Sequence, residues 1–195
     1  MFRFTKPKRP TIVAFLGAQR EAIFSYSEVG GSRAGAANVA GYNVDHNRAQ
    51  LGSGRETFGR AKQAVRDWRM FEMPWVQLCW PRAPLAVGTN VAVLVSHLGV
   101  WSLNPCRIVY TIDESEAAIE RYGFAYGTLV GHGEIGEERF SVEFHPADGA
   151  VWYDLYAYSR PGNLARFGAP IARALQKRFA RESKAAMIRA VKSQA

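Results

Sequence analysis

The sequence predicts an α+β fold: a curved antiparallel sheet of about seven strands wrapped on a long C-terminal helix. Three observations predict it. Between Trp75 and Ser159, apolar residues recur with a period of two. From Pro161 to Lys192 the period becomes helical. Strands and helices nowhere alternate in the βαβ manner that a parallel sheet needs.

The elements follow in order. Lys6-Pro7-Lys8-Arg9 before an apolar run has the outline of a secretory signal. The run is short, opens on Pro10 and lacks a small-residue cleavage site, so residues 1–22 read as an N-terminal extension with a short helix, Pro10 to Ala22. Phe24 to Val29 reads as a first strand before Gly30-Gly31, and Ser32 to Arg48, rich in Gly, Ala and Asn, as an irregular loop. Ser53 and Glu56 form a capping-box pattern ahead of a helix whose face is Phe58, Ala61, Val65 and Trp68 and which Pro74 stops. Six strands follow: Trp75–Trp80, Asn90–Leu98, Cys106–Asp113, Tyr122–His132, Glu137–His145 and Ala150–Ser159. Asp148-Gly149 is the clearest hairpin turn, and Glu114 to Arg121 is an acidic connection with room for a helical turn.

The terminal helix is expected over residues 161–192. Asn163 is its candidate N-cap, and Leu164, Phe167, Ile171, Leu175 and Phe179 lead its apolar stripe. Pro170 cannot sit in a helix interior without disruption, which predicts a short first turn, a kink, and the main helix from Pro170. A sheet with one apolar face must bury it, and this is the one long helix available. Ile171, Leu175 and Phe179 are therefore expected inward, closing a cavity.

The whole chain, 195 residues, reads as one domain. At 48% apolar and 12% aromatic it is not a disordered basic tail. No apolar run is long enough to span a bilayer. Cys79 and Cys106 fall within strand patterns and read as buried thiols, which suits a reducing, cytoplasmic location. Formal charge is +8, but it is local: from Gly162 onward eight Lys/Arg face one acid. Arg173, Lys177, Arg181 and Lys184 thus form either a patch for an anionic membrane or nucleic acid, or the solvated face of an amphipathic helix. Exposed aromatics interleaved with the basic residues are missing, which argues against nucleic acid.

Several short runs resemble the domain-of-unknown-function 1990 family, also called UPF0548. They are Leu51-Gly-Ser-Gly-Arg55, Tyr126-Gly-Thr-Leu-Val-Gly-His132, Gly136-Glu-Glu-Arg-Phe140, Val151-Trp-Tyr153, Ser159-Arg-Pro161, and Gln176 with Arg178-Phe-Ala180. The resemblance covers roughly Phe24 to Val191. The element order is also similar to the START-like, Bet v 1-like (SRPBCC) helix-grip superfamily. That likeness implies a cavity between sheet and helix, used there for lipids and other apolar ligands and in some members for catalysis. It does not fix a function.

Strand parity gives the candidate inner face. It places Tyr126, His132, Glu138 and Tyr153 on the concave side, with Val91, Val93, Val95 and His97 beside them. His132 and Glu138 are candidate catalytic acid and base; the alternative is a structural hydrogen bond from Glu138 to His132 or Arg55. Tyr26, Trp75, Leu175 and Phe179 are candidate ligand contacts, and Arg55 or Arg160 would meet a polar head group. Gly52-Ser53-Gly54-Arg55 reads as an anion-binding turn or a simple capped one, and it matches neither phosphate-loop motif. The four histidines lie on different elements without metal-ligand spacing, so no metal and no cofactor is expected. Three functions remain open: an intracellular binder of a hydrophobic molecule, a cyclase-, hydratase- or lyase-type enzyme on the same pocket, and a protein that docks its terminal helix on an anionic surface.

Overall fold

A computed structural model describes residues 1–33, 35, 41–80, 83–162 and 169–193. In chain order it runs β1 (Phe2–Arg3), α1 (Arg9–Ala18), β2 (Asn43–Ser53), α2 (Arg55–Arg66), a single 3-10 turn (Arg69–Phe71), β3 (Val76–Leu78), β4 (Asn90–His97), β5 (Val100–Ser115), β6 (Glu120–Thr128), β7 (Glu134–Phe144), β8 (Ala150–Pro161) and α3 (Ala169–Lys192). Seven strands lie side by side in the order β2-β8-β7-β6-β5-β4-β3, every pair antiparallel, and the short β1 adds to β5. The sheet curls around α3, the helix-grip arrangement expected from the sequence. Register shifts at Gln50/Gly52 and Ile108/Tyr110 mark two irregularities. Bulges of this kind bend a strand and increase its twist. The second also reverses parity: Cys106 and Ile108 join the core under α3, whereas Tyr110 and Ile112 join an outer cluster with Ala125.

The concave face is filled unevenly, and that positions the site. At one end Phe58, Ala61 and Val65 of α2, then Trp68 and Phe71, pack into the sheet. Trp68 meets Phe124 with ring centroids 4.5 Å apart, and Phe71 bridges Phe140 and Phe179, both at 5.5 Å. The C-terminal half of α3 seals this end with Met187, Ala190 and Val191. Its N-terminal half spans the rest of the concavity, where side chains leave space. On the convex side α1, with Pro10 in its first turn, sets Ile12 against Cys79, Ala92, Leu94 and Leu103. Both cysteines are free and buried.

Several local expectations differ from the structure. Phe24–Val29 is not a strand; Phe24 makes a lone bridge to Leu129. The edge strand is instead β2, inside the segment read as a loop, because β8 supplies its hydrogen bonds while most of its side chains stay in water. Ser53 does not cap α2: it ends β2 opposite Ala150, and Gly54 takes the N-cap with φ 89°, a conformation that favours glycine. Glu114 to Arg121 forms no helical turn, since β5 runs on to Ser115 and β6 begins at Glu120. For the terminal helix, Ala169 opens α3 and Pro170 sits in the first turn, where a missing N–H costs nothing. Asn163, Leu164 and Phe167 lie outside the described residues. Ile171 does not point inward; it is 51% exposed.

Candidate functional site

Between the sheet and the first half of α3 lies a cavity of about 510 Å³. Alternation along each strand decides which side chains reach it. Val93 and Val95 come from β4, Tyr126 and Thr128 from β6, Glu134 and Glu138 from β7, and Leu155, Ala157 and Ser159 from β8. Phe71 and Trp75 close one side, while Leu175, Gln176 and Phe179 of α3 form the roof. Trp75 is held by α3 itself: its indole N–H donates to Glu182 Oε2 at 2.7 Å and Arg178 covers its ring at 4.6 Å. The wall is largely apolar, with its polar groups gathered around β7.

Glu138 is the register partner of Tyr126, and the Tyr126 hydroxyl donates to its Oε2 at 2.8 Å. Burial lifts the Glu138 carboxyl to about 8; the tyrosine bond works against that rise, while Glu134 and Asp45 add to it. Burial also lifts Glu134, with Gln176 and Ser159 offsetting part of the effect. His132, in the turn between β6 and β7, accepts the Glu134 backbone N–H on Nδ1 at 2.8 Å, and burial lowers its pKa to about 4. Its ring is neutral near pH 7, with the remaining proton assigned to Nε2 by this bond. Asp45 of β2 takes a bidentate bond from Arg173, one arm at 2.7 Å, and Arg173 also reaches Gln176 Oε1 at 3.1 Å. That clamp ties the roof helix to the edge strand.

The structure gathers His132, Glu138, Tyr126, Trp75, Leu175 and Phe179 at the cavity. It puts four other candidates elsewhere. Tyr26 packs with Tyr156 and Tyr158 in a separate cluster and donates to Glu137 Oε2 at 2.7 Å. Arg55 pairs with Glu120 at 2.5 Å and lies over Phe144. Tyr153 is on the concave face but fully covered by α3, its hydroxyl 2.8 Å from Ser183 Oγ. Arg160 follows Ser159 and so takes the opposite parity; it stacks on Tyr42 with its guanidinium 4.8 Å from the ring. Glu138 bonds neither His132 nor Arg55; its partner is Tyr126. His97 does not reach the cavity either.

Sequence reasoning missed Asp45, Asn104, Glu134 and Gln176 as lining residues. Glu134 was within reach, because counting back by twos from Glu138 through Gly136 arrives at it. Asp45 was not, because nothing in its own segment alternates. Among the described residues there is no group of three or more His, Cys, Asp or Glu able to hold a metal ion, and no helix long and apolar enough to cross a membrane.

The family model described as "Domain of unknown function (DUF1990)" matches residues 25–186. A UPF0548 protein of Dictyostelium discoideum is 34% identical over 99% of this chain and 97% of its own. One from Deinococcus radiodurans is 38% identical over 97% and 98%, and one from Arabidopsis thaliana 35% identical over 77% and 74%. Among solved structures, Ara h 8.0201 aligns with a TM-score of 0.46 at 15% identity, over 78% of this chain and 99% of that one. A hypothetical protein from Helicobacter pylori aligns at 0.48 with 14% identity, over 75% and 86%.

Proposed function

The chain belongs to the DUF1990 family, whose model spans both the sheet and the helix that enclose the cavity, and from that premise we propose that it is an intracellular protein binding a hydrophobic small molecule in that cavity. The observation that carries this reading is the unfilled space itself. Protein interiors pack to crystal-like density, and the other end of this sheet does so with a run of aromatic contacts. About 510 Å³ left open between apolar walls is in the size range of small-molecule sites. Two buried free thiols fit a reducing compartment.

A second reading rests on Glu138. A carboxyl held near 8 beside an apolar chamber can deliver a proton at neutral pH. His132 then serves as a neutral N–H donor rather than a base, since its Nδ1 lone pair is engaged by Glu134. The anionic-surface reading has a narrower footing. Arg173 is committed to Asp45, Lys184 reaches Asn47 Oδ1 at 3.3 Å and Arg181 lies 3.8 Å from Glu182 Oε1, which leaves Lys177.

Native mass spectrometry of the purified protein, followed by titration with the neutral apolar dye Nile red, tests the binding reading. The expected result is a co-purified small molecule or saturable dye binding that Ala157→Phe abolishes while the protein stays folded. Dye binding that Ala157→Phe leaves unchanged would place the binding elsewhere and sink the proposal. Turnover lost in Glu138→Gln with binding retained would favour the enzyme.

A further inference from the structure

The polar end of the cavity narrows the ligand class, and this deepening rests on the reading that the cavity binds an apolar molecule. Glu134 and Glu138 are four residues apart on β7, an even spacing, and project the same way. Glu138 Oε2 accepts the Tyr126 hydroxyl proton, which leaves the phenol oxygen as an acceptor toward the chamber; Glu138 Oε1 accepts nothing from the described residues. The cations nearby are committed or peripheral. Arg173 is held by Asp45. The Met1 ammonium donates to Leu103 O at 3.0 Å. Lys177 borders the cavity from an exposed position on α3. Of the other titratable groups that face Glu138, Asp45 of β2 is paired with Arg173, while Cys106 of β5 and Tyr153 of β8 are held neutral by burial, as is His132.

The chamber thus offers Glu138, which no cation bonds, Glu134, which Arg173 favours in its charged form only from a distance, and a phenol whose proton is spent. A ligand carboxylate would bring another acid into a site without a free guanidinium. An ammonium would supply the missing partner through charge-assisted hydrogen bonds, which are stronger than neutral ones. We infer that the cavity takes an apolar molecule carrying a basic nitrogen, whose ammonium is held by Glu138, with the Tyr126 oxygen and Glu134 beside it. The proton balance follows. In the empty cavity Glu138 keeps its proton at neutral pH; an entering ammonium stabilises the carboxylate, and that proton leaves to solvent.

Isothermal titration calorimetry with three probes of one shape tests this: naphthylethylamine, naphthylethanol and naphthylacetate, each in two buffers of different ionisation enthalpy. The amine is expected to bind about tenfold or more tighter than the alcohol, to release a fraction of a proton approaching one per site at pH 7, and the acetate to bind weakest. In Glu138→Gln, checked for folding by its melting curve, the amine's advantage and its proton release should both disappear while the alcohol still binds. Tyr126→Phe supplies a second folded variant, in which the amine keeps part of its advantage. Equal affinity for amine and alcohol, or preference for the acetate, overturns the ligand class and leaves the cavity reading standing. An amine preference that survives Glu138→Gln overturns the assignment to Glu138. If the alcohol and Nile red also fail to bind, the cavity reading falls and takes this inference with it.

Discussion

Tyr126 and Glu138 stand opposite each other on β6 and β7, and the phenol donates to the carboxyl across 2.8 Å. Burial sets their chemistry: Glu138 is lifted to about 8 from an ordinary 4.5, while nearby His132 is lowered to about 4 from 6.5.

These two shifts predict a pH dependence of stability. Between pH 4.5 and 8 the folded protein keeps a proton on Glu138 that the unfolded chain has released, so stability falls as pH rises. The slope from one group is at most about 1.4 kcal/mol per pH unit. Between pH 6.5 and 4 the unfolded chain protonates His132 and the folded protein does not, so stability falls as pH drops. The two effects oppose each other below pH 6.5, and above it the raised carboxyl acts without that opposition. Melting curves from pH 4 to 9 should show a decline between 6.5 and 8 that Glu138→Gln flattens. A decline unchanged in Glu138→Gln would mean that Glu138 is ionised in the folded protein.

Glu137, one residue along and on the other face, is a structural acid. It is 2% exposed and accepts from the Tyr26 hydroxyl and Gly30 N–H, both at 2.7 Å, from the Ser32 N–H at 3.0 Å, and from the Ser32 hydroxyl at 2.5 Å. Glu137→Ala strands these donors and should cost about 3–5 kcal/mol. Denaturant unfolding measures the loss, and hydrogen exchange should rise first in residues 25–33. A cost below about 1 kcal/mol would show that water replaces the carboxylate.

Gly127 is required by a contact made far away in the chain. A Cβ there would lie 1.9 Å from the Tyr26 hydroxyl oxygen and 2.8 Å from its ring carbon Cζ. Gly127→Ala should cost about 1–3 kcal/mol, the usual range for overpacking. In a Tyr26→Phe background the same change should cost less, because the nearest atom is gone. Additive costs in that double-mutant cycle would refute the clash as the cause.

Much of the site was legible because it follows from parity. Once Phe140 and Val142 are taken as inward, Glu138 must be inward too, and Tyr126 follows from Phe124 in the same way. Trp75, Leu175 and Phe179 were legible as apolar residues at the edge of a stripe. What failed was inference about the arginines. Arg55 and Arg160 suit an anionic head group by residue type alone. Yet Arg55 finds Glu120, and Arg160 takes the parity opposite to the cavity.

By itself the sequence determined the order of elements from α2 onward, the inner face of the central strands and the helix that covers them. Periods of 2 and 3.6 are local properties, written within a few residues. Only the tertiary structure decided that Asn43–Ser53 is a strand, that Asp45 holds Arg173, and that the polar groups of the cavity gather at β7. Those outcomes depend on partners more than 100 residues apart, as with Asp45 and Ala157 or Tyr26 and Glu137. A mostly exposed edge strand carries no apolar alternation to announce it; its hydrogen bonds come from β8, and that register exists only once the sheet has curled.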